Sequence, residues 1–289
     1  MSKRANFVCR ASTVLALLCG IFVSAGPLLW VFCASLKTGP DAVSPGFLPW
    51  AKLRAYLAGT QDWPLTYANY TTLLDREPFL TWTANSIFLS STHTLLTVLL
   101  SSLGGFALAK YRFPGKRILM ALMVLTMLLP SQVLLPSNYE LIYRLGWINS
   151  YLAILIPGSV SVFGLFLFRQ AMMGVPDDLL NSGRIDGCSE FRLWWSVAMP
   201  VVRPMTGAYT LMSFLSAWNS YLWPQVVLQD ERKITLPMGL ANMAALQSYQ
   251  SDFGVLMAGT VLSILPVMLL FLWLQREFVE GLTSGAVKG

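Results

Sequence analysis

Six stretches of this sequence run for at least 22 residues without an Asp, Glu, Lys or Arg: Ala11–Leu36, Pro78–Ala109, Ile118–Tyr139, Leu145–Phe168, Pro204–Gln229 and Phe253–Gln275. An α-helix needs about 20 residues to cross roughly 30 Å of hydrocarbon. Inside lipid, only a backbone that satisfies its own hydrogen bonds is stable. The expected fold is therefore all-α, a polytopic membrane protein with six transmembrane helices. Hydrophobic residues make up 55% of the 289, above the roughly 45 to 50% of soluble domains. A further charge-free stretch, Ile234–Ser251, carries Thr235, Pro237, Asn242, Gln247 and Gln250. It reads as an interfacial or exposed segment.

Charge sets the expected orientation. With the N-terminus inside, 13 of the 20 basic residues but only 6 of the 14 acidic ones fall on the inner side, the bias that marks cytoplasmic loops. Both termini are accordingly placed in the cytoplasm. The net charge of +6 is mostly this bias and gives no reason to invoke nucleic acid. The four cysteines lack CxxC spacing, so neither a zinc site nor a disulfide framework is indicated. No GxxxxGK[ST] occurs, so the chain has no phosphate loop of that kind.

In chain order, residues 1–36 form a basic head and a first helix. That helix runs well past Val23-Ser24-Ala25, where a signal peptidase could cut, and is expected to be retained. Residues 37–77 form an external loop rich in turn formers and aromatics. It reads either as a docking surface for an external partner or as a connection folded onto the helix ends. Residues 78–275 hold the other five helices. The second is hydroxyl-rich and carries Asn85, Ser86 and His93; polar spans of this kind face other protein rather than lipid. His93 would line a solute path, be a buried, hydrogen-bonded helix contact, or snorkel from an end position. Pro130, Pro136 and Pro157-Gly158 mark kinks. The fifth span carries Asn219 and Ser220, and its Trp218 and Trp223 fit an aromatic belt. Residues 276–289 form a tail with Gly281, Gly285 and Lys288, too glycine-rich to make a stable helix alone.

Between the fourth and fifth spans lies a charged island, Pro176–Pro200. Pro176 and Asp177 suit a helix start, Asp186-Gly187 a break, and Ser189 the cap of a second helix. Two short helices would then form a knob, or a loop tucked under the bundle.

This island resembles the signature loop of the inner-membrane permease subunits of binding-protein-dependent ABC importers, which reads EAAxxDG, nine residues, IxLP. Here it is Asn181-Ser182-Gly183-Arg184-Ile185-Asp186-Gly187, nine residues, then Val197-Ala198-Met199-Pro200. Asp186, Gly187 and Pro200 match outright; Asn181 replaces Glu, and Ser182 and Gly183 replace alanines. The likeness is greatest to the maltose-type carbohydrate permeases. It extends over Ala107–Gly115, Leu145–Asn149, Trp218-Asn219, Trp223-Pro224, Lys233–Pro237 and Gly281–Gly289.

The resemblance implies the type I ABC importer permease fold and a set of partners: a second homologous permease, an external or periplasmic solute-binding protein, and two ATPase subunits. ATP and Mg would bind those subunits and not this chain, which would be a transport subunit of the bacterial inner membrane rather than an enzyme. Asn181, Ser182, Gly183, Asp186, Gly187 and Pro200 would belong to the ATPase-coupling loop, and Gly281, Gly285 and Lys288 to a tail reaching the ATPase dimer. Asn85, Ser86, His93, Asn219 and Ser220 are candidates for the solute path. A sugar, an oligosaccharide or a glycerol phosphate all fit. The rivals are an ion-coupled secondary transporter, which wants ionisable residues at mid-span, and a membrane assembly protein without a transport role.

Overall fold

The computed structural model describes residues 3–37, 39–60, 63–130, 132–245 and 249–284. Among them the regular elements are helices, and the chain divides into two compact units, Met1–Leu80 with Gly239–Leu265 and Thr81–Met238 with Pro266–Gly289.

The first unit begins with α1 (Lys3–Ser35), one helix that continues through Pro27. The segment after it contains α2 (Pro40–Val43), α3 (Trp50–Leu57) and α4 (Ala68–Arg76). It is strapped to the end of α1: the Asn69 amide donates to the carbonyls of Ser35 and Lys37, each at 2.7 Å. The Tyr70 and Ser35 hydroxyls are also 2.7 Å apart. Lys37 is fully buried, its ammonium donating to the Gly46 carbonyl. A side chain at Gly254 would strike Asn69 and the Lys37 carbonyl, so the loop closes tightly over its neighbours. Of the two readings of residues 37–77, this is the packing expected of a connection folded onto helix ends.

The second unit contains most of α5 (Phe79–Lys110), then α6 (Lys116–Met127), α7 (Leu135–Arg144), α8 (Leu152–Gly158) and α9 (Val162–Met173). After these come α10 (Asp177–Ile185), α11 (Glu190–Leu193), a π-turn over Trp194–Ala198, α12 (Met199–Val201), α13 (Arg203–Trp218) and α14 (Leu222–Val227). The chain then forms α15 (Leu236–Ala245) and α16 (Tyr249–Ser284), each of which runs through both units.

Glycine sets how closely these helices approach. A Cβ on Gly105 of α5 would lie 2.6 Å from Phe168 Cβ and 2.8 Å from the Arg169 nitrogen of α9. One on Gly164 would collide with the Tyr209 ring of α13. Where apolar attraction between helices is weak, as in lipid, such small-residue notches let backbones pack by van der Waals contact.

Three helical stretches are long and apolar enough to cross a membrane among the described residues: Ser12–Ser35, Phe79–Lys110 and Phe253–Gly281. The α8–α9 pair, bent by 41°, makes a fourth if taken as one span. Three of the six charge-free windows are not continuous helices, the fourth window being this bent α8–α9 pair. The third breaks between Met127 and Leu135, around Pro130, and Pro136 opens α7 instead of kinking a longer helix. The fifth stops at Trp218, with the six-residue α14 after it. The absence of charge fixes what lipid tolerates but not helix continuity, which a missing proline N–H can interrupt.

Three further expectations change. Trp218 is buried and stacked on Phe214, with ring centroids 5.7 Å apart, and the Trp223 indole N–H donates to the Ala153 carbonyl at 2.9 Å. Both tryptophans pack within the chain rather than forming a belt. The stretch after Lys233 is not simply exposed, because Thr235, Leu236 and Met238 are buried at the start of α15. The tail is helical to Ser284 because it lies against α13. Gly281 is held 2.7 Å, from its would-be Cβ, to the Pro204 carbonyl oxygen, and Gly207 is as tightly placed against Glu277. Arg203 and Glu277 pair at 3.2 Å beside these notches.

Candidate coupling knob and polar cavity

The charged island is a helix–break–helix. Pro176, extended at φ −62° and ψ 132°, stands just before α10, whose first turn carries Asp177 and Asp178. Acidic groups there complement the exposed amides of a helix start. Gly187 takes φ +80° with open space around it, a left-handed conformation that costs glycine nothing. The Ser189 hydroxyl then caps α11 by accepting from the Arg192 amide. Pro200 has no N–H to give the Ser196 carbonyl and would crowd that oxygen in an α-helix. The preceding turn is widened instead, the Met199 amide donating to Trp194 O.

One face of this knob is buried. Leu180, Leu193 and Trp194 join Phe106 of α5, Phe168 and Met172 of α9 and Tyr209 of α13 in one apolar cluster. Gly183, the departure from the alanine of the family motif, lies against Leu193: a Cβ there would come within 2.5 Å of Leu193 Cδ2. The other face is open, with Ile185 87%, Phe191 62% and Trp195 58% exposed. The knob is both tucked under the helices and presented outward.

Polar ties connect the knob to the end of α5. The Lys110 ammonium donates to Asp177 Oδ1 at 2.6 Å and to the Val175 carbonyl. Arg184 spans the break, Nε to Glu190 Oε1 at 2.7 Å and Nη2 to Oε2 at 3.1 Å, while its Nη1 donates to Asn181 Oδ1 at 2.9 Å. Asn181, where the motif has Glu, is thus an acceptor for Arg184. The Tyr111 hydroxyl donates to Glu190 Oε2. Hydrogen bonds from Arg184 and Tyr111 hold the Glu190 carboxyl below the usual glutamate range, and one from Lys110 does the same for Asp177. Partial burial, reinforced by Glu190, pushes the Tyr111 phenol up. Ser182 donates to the Asp178 carbonyl within α10, and Asp186 and Pro200 are exposed.

A cavity of about 280 Å³ opens among α5, α8, α13 and α14, lined by Ser86, Ser90, His93, Ser216, Ser220 and Trp223 together with Asn138 and Thr235. A second, of about 250 Å³, shares His93 and Ser216 and adds Thr97, Ser161, Tyr209 and Ser213. His93 is positioned by the α8–α9 bend: its ring sits where a Gly158 Cβ would be, at 2.8 Å. The Thr97 hydroxyl donates to the His93 carbonyl at 2.7 Å and lies 3.2 Å from that of Gly158, a polar partner for backbone near Pro157.

The structure gathers three of the five path candidates, Ser86, His93 and Ser220, and leaves two outside the lining. Asn85 donates to the carbonyls of Arg232 and Ile234, each at 2.9 Å, and accepts from the Tyr151 hydroxyl at 2.9 Å. Asn219 is exposed and donates to Leu215 O in its own helix. Sequence reading missed Asn138 and Thr235, which come from separate elements, and took Trp223 for a belt residue. The hydroxyls of Ser90 and Ser216 were the legible signal. In the tail, Gly281 faces α13, and Gly285 and Lys288 lie outside the described residues.

Long apolar helices, a polar cavity among them and a charged knob at one end of α5 define a multi-pass membrane transport protein. The fold matches that of a bacterial ABC transporter involved in the import of the acidic polysaccharide alginate, with a TM-score of 0.81 and 22% identity over 96% of this chain and 99% of that one. Residues 101–283 match the family described as binding-protein-dependent transport system inner membrane component, and the chain belongs to that family. It is 38% identical to the arabinooligosaccharides transport system permease protein AraQ of Bacillus subtilis (strain 168), over 78% of this chain and 80% of that protein. It is also 33% identical to the lactose transport system permease protein LacG of Rhizobium radiobacter (73% and 76% covered). The sn-glycerol-3-phosphate transport system permease protein UgpE of Pectobacterium atrosepticum (strain SCRI 1043) is 30% identical (93% and 94% covered).

Proposed function

We propose that this chain is a permease subunit of an ATP-driven importer that moves a carbohydrate, delivered by an external binding protein, across the bacterial inner membrane. It pairs with a second homologous permease and takes its power from two separate ATPase subunits that bind ATP and Mg. Six crossings, with α6–α7, the bent α8–α9 pair and α13–α14 as broken spans, put both termini on one side, and the excess of basic residues there makes that side the cytoplasm. The relatives named for arabinooligosaccharides, lactose and sn-glycerol 3-phosphate support a sugar or related solute. Membership of a binding-protein-dependent family speaks against an ion-coupled carrier and against a non-transporting role.

The observation that carries the reading is the course of α5. At one end Lys110, with Tyr111 just after it, grips the knob, and further along Ser86, Ser90 and His93 line the cavity. A force applied to Ile185, Phe191 and Trp195 by an ATPase subunit passes as rigid-body motion into the helix that shapes the solute path. The test is affinity recovery of this chain from native membranes with its ATPase subunits. Gly187→Val, which forces a β-branched residue to φ +80° at about 1 to 2 kcal/mol, leaves membrane insertion intact and loses the ATPase subunits. Their normal recovery with this variant would refute the docking role of the knob. Truncation before Glu280 lowers transport-coupled hydrolysis more than protein level; unchanged coupling would refute a role for the tail.

A further inference from the structure

We infer that the solute path in this chain is built for a neutral, polyhydroxylated solute and rejects anionic ones, although one relative is named for sn-glycerol 3-phosphate and the matching solved structure for an acidic polysaccharide. The inference rests on the importer reading above and narrows its substrate class.

The described residues lining the two cavities offer hydroxyls, one carboxamide, one imidazole and one indole, and none is Lys, Arg, Asp or Glu. A phosphate or carboxylate leaving water needs a countercharge or several charge-assisted donors, since desolvating an unpaired ion is far costlier than desolvating a hydroxyl. A hydroxyl both donates and accepts, so a wall of serines and threonines matches a sugar, whose groups do the same. Two lining hydroxyls, Ser213 and Thr235, are more than nine-tenths buried and have no hydrogen-bond partner within the chain. They leave neutral hydrogen-bonding capacity unused beside the cavities, of the kind that water or a hydroxylated solute matches. Trp223, its N–H fixed by the Ala153 carbonyl, supplies a rigid apolar plate for the carbon face of a sugar ring. His93 lies in both linings, its ring against Gly158, and is the one group there able to carry a positive charge.

The test uses the complete importer recovered through this chain and reconstituted in vesicles. It reads ATP-dependent uptake of maltose, lactose and xylobiose against lactobionate, an aldobiouronic acid and sn-glycerol 3-phosphate, all at pH 7.5. Uptake of the neutral set is expected to exceed that of the acidic set by about tenfold or more. Ser220→Lys, which places a cation in the lining, is expected to cut that ratio by at least about threefold. Asn219→Lys, one residue away and outside the lining, leaves it unchanged. If Ser220→Lys is not recovered from the membrane, Ser216→Lys takes its place. Equal uptake of both sets by the unmodified importer overturns the inference and leaves the importer reading standing. So does a ratio that no lining lysine moves, or that Asn219→Lys moves equally. Uptake of neither set, with ATP hydrolysis intact, overturns the importer reading itself.

Discussion

The guanidinium of Arg184 meets both carboxylate oxygens of Glu190, at 2.7 and 3.1 Å, and so clamps α10 to α11 across the left-handed turn at Gly187. Tyr111, just beyond the end of α5, donates to the same carboxylate. The two short helices and the long one therefore share a single acceptor, and the knob's orientation follows the end of α5.

Breaking that clamp should separate rigidity from stability. The Arg184 and Glu190 side chains are 37% and 47% exposed, and exposed pairs contribute only about 0.2 to 1 kcal/mol. Arg184→Ala and Glu190→Gln are expected to leave the thermal midpoint nearly unchanged while lowering recovery of ATPase subunits several-fold. A large fall in the midpoint would show the clamp to be a global stability element instead.

The clamp also sets a pH window. Glu190 and Asp177 titrate below the ordinary values of 4.5 and 3.8. Their contribution is present above those values and is lost as pH falls through the depressed ones. The raised Tyr111 phenol remains a donor beyond its ordinary value of 10.0 and is lost only at still higher pH. Pulsed EPR distances between labels at Asp178 and Arg192 should be constant from about pH 5 to about pH 9 and broaden in acid. Added salt should reduce the effect.

Glycine substitutions should differ in sign. Gly281→Ala places a Cβ 2.7 Å from the Pro204 carbonyl oxygen; backbone must move, at about 1 to 3 kcal/mol, more than the roughly 1 kcal/mol gained in helix propensity. Gly20→Ala in α1 meets nothing within 4 Å. In detergent, the first should lower the thermal midpoint and the second leave it unchanged or raise it.

Two asparagines that look equivalent as path candidates should behave differently. Asn85→Ala orphans the Arg232 and Ile234 carbonyls and the Tyr151 hydroxyl, at about 1 to 3 kcal/mol. Asn219→Ala removes one exposed intrahelical bond and should stay within about 0.5 kcal/mol. Chemical or thermal unfolding of the two variants side by side measures the difference.

The knob was legible because its signals are local. Pro176 before a helix, Gly187 at positive φ and Ser189 capping the next helix depend on one or two peptide units each, so sequence and structure agree within a residue. The cavity was only half legible. Asn85 and Ser86 are neighbours on one helix, and about 100° of rotation per residue puts Ser86 into the lining and Asn85 on the 232–234 segment. Polarity marks both alike.

The sequence by itself determined the environment and the punctuation. Charge-free windows demanded helices in lipid, and fixed spacing from Asp186-Gly187 to Pro200 defined the knob, because solvation and backbone conformation are properties of short segments. Only the tertiary structure decided which windows are broken, which hydroxyls converge around His93, why Gly281 cannot readily carry a side chain, and that the tail continues as helix against α13. Those outcomes depend on what residues far apart in sequence bring within van der Waals reach, and no local pattern encodes that proximity.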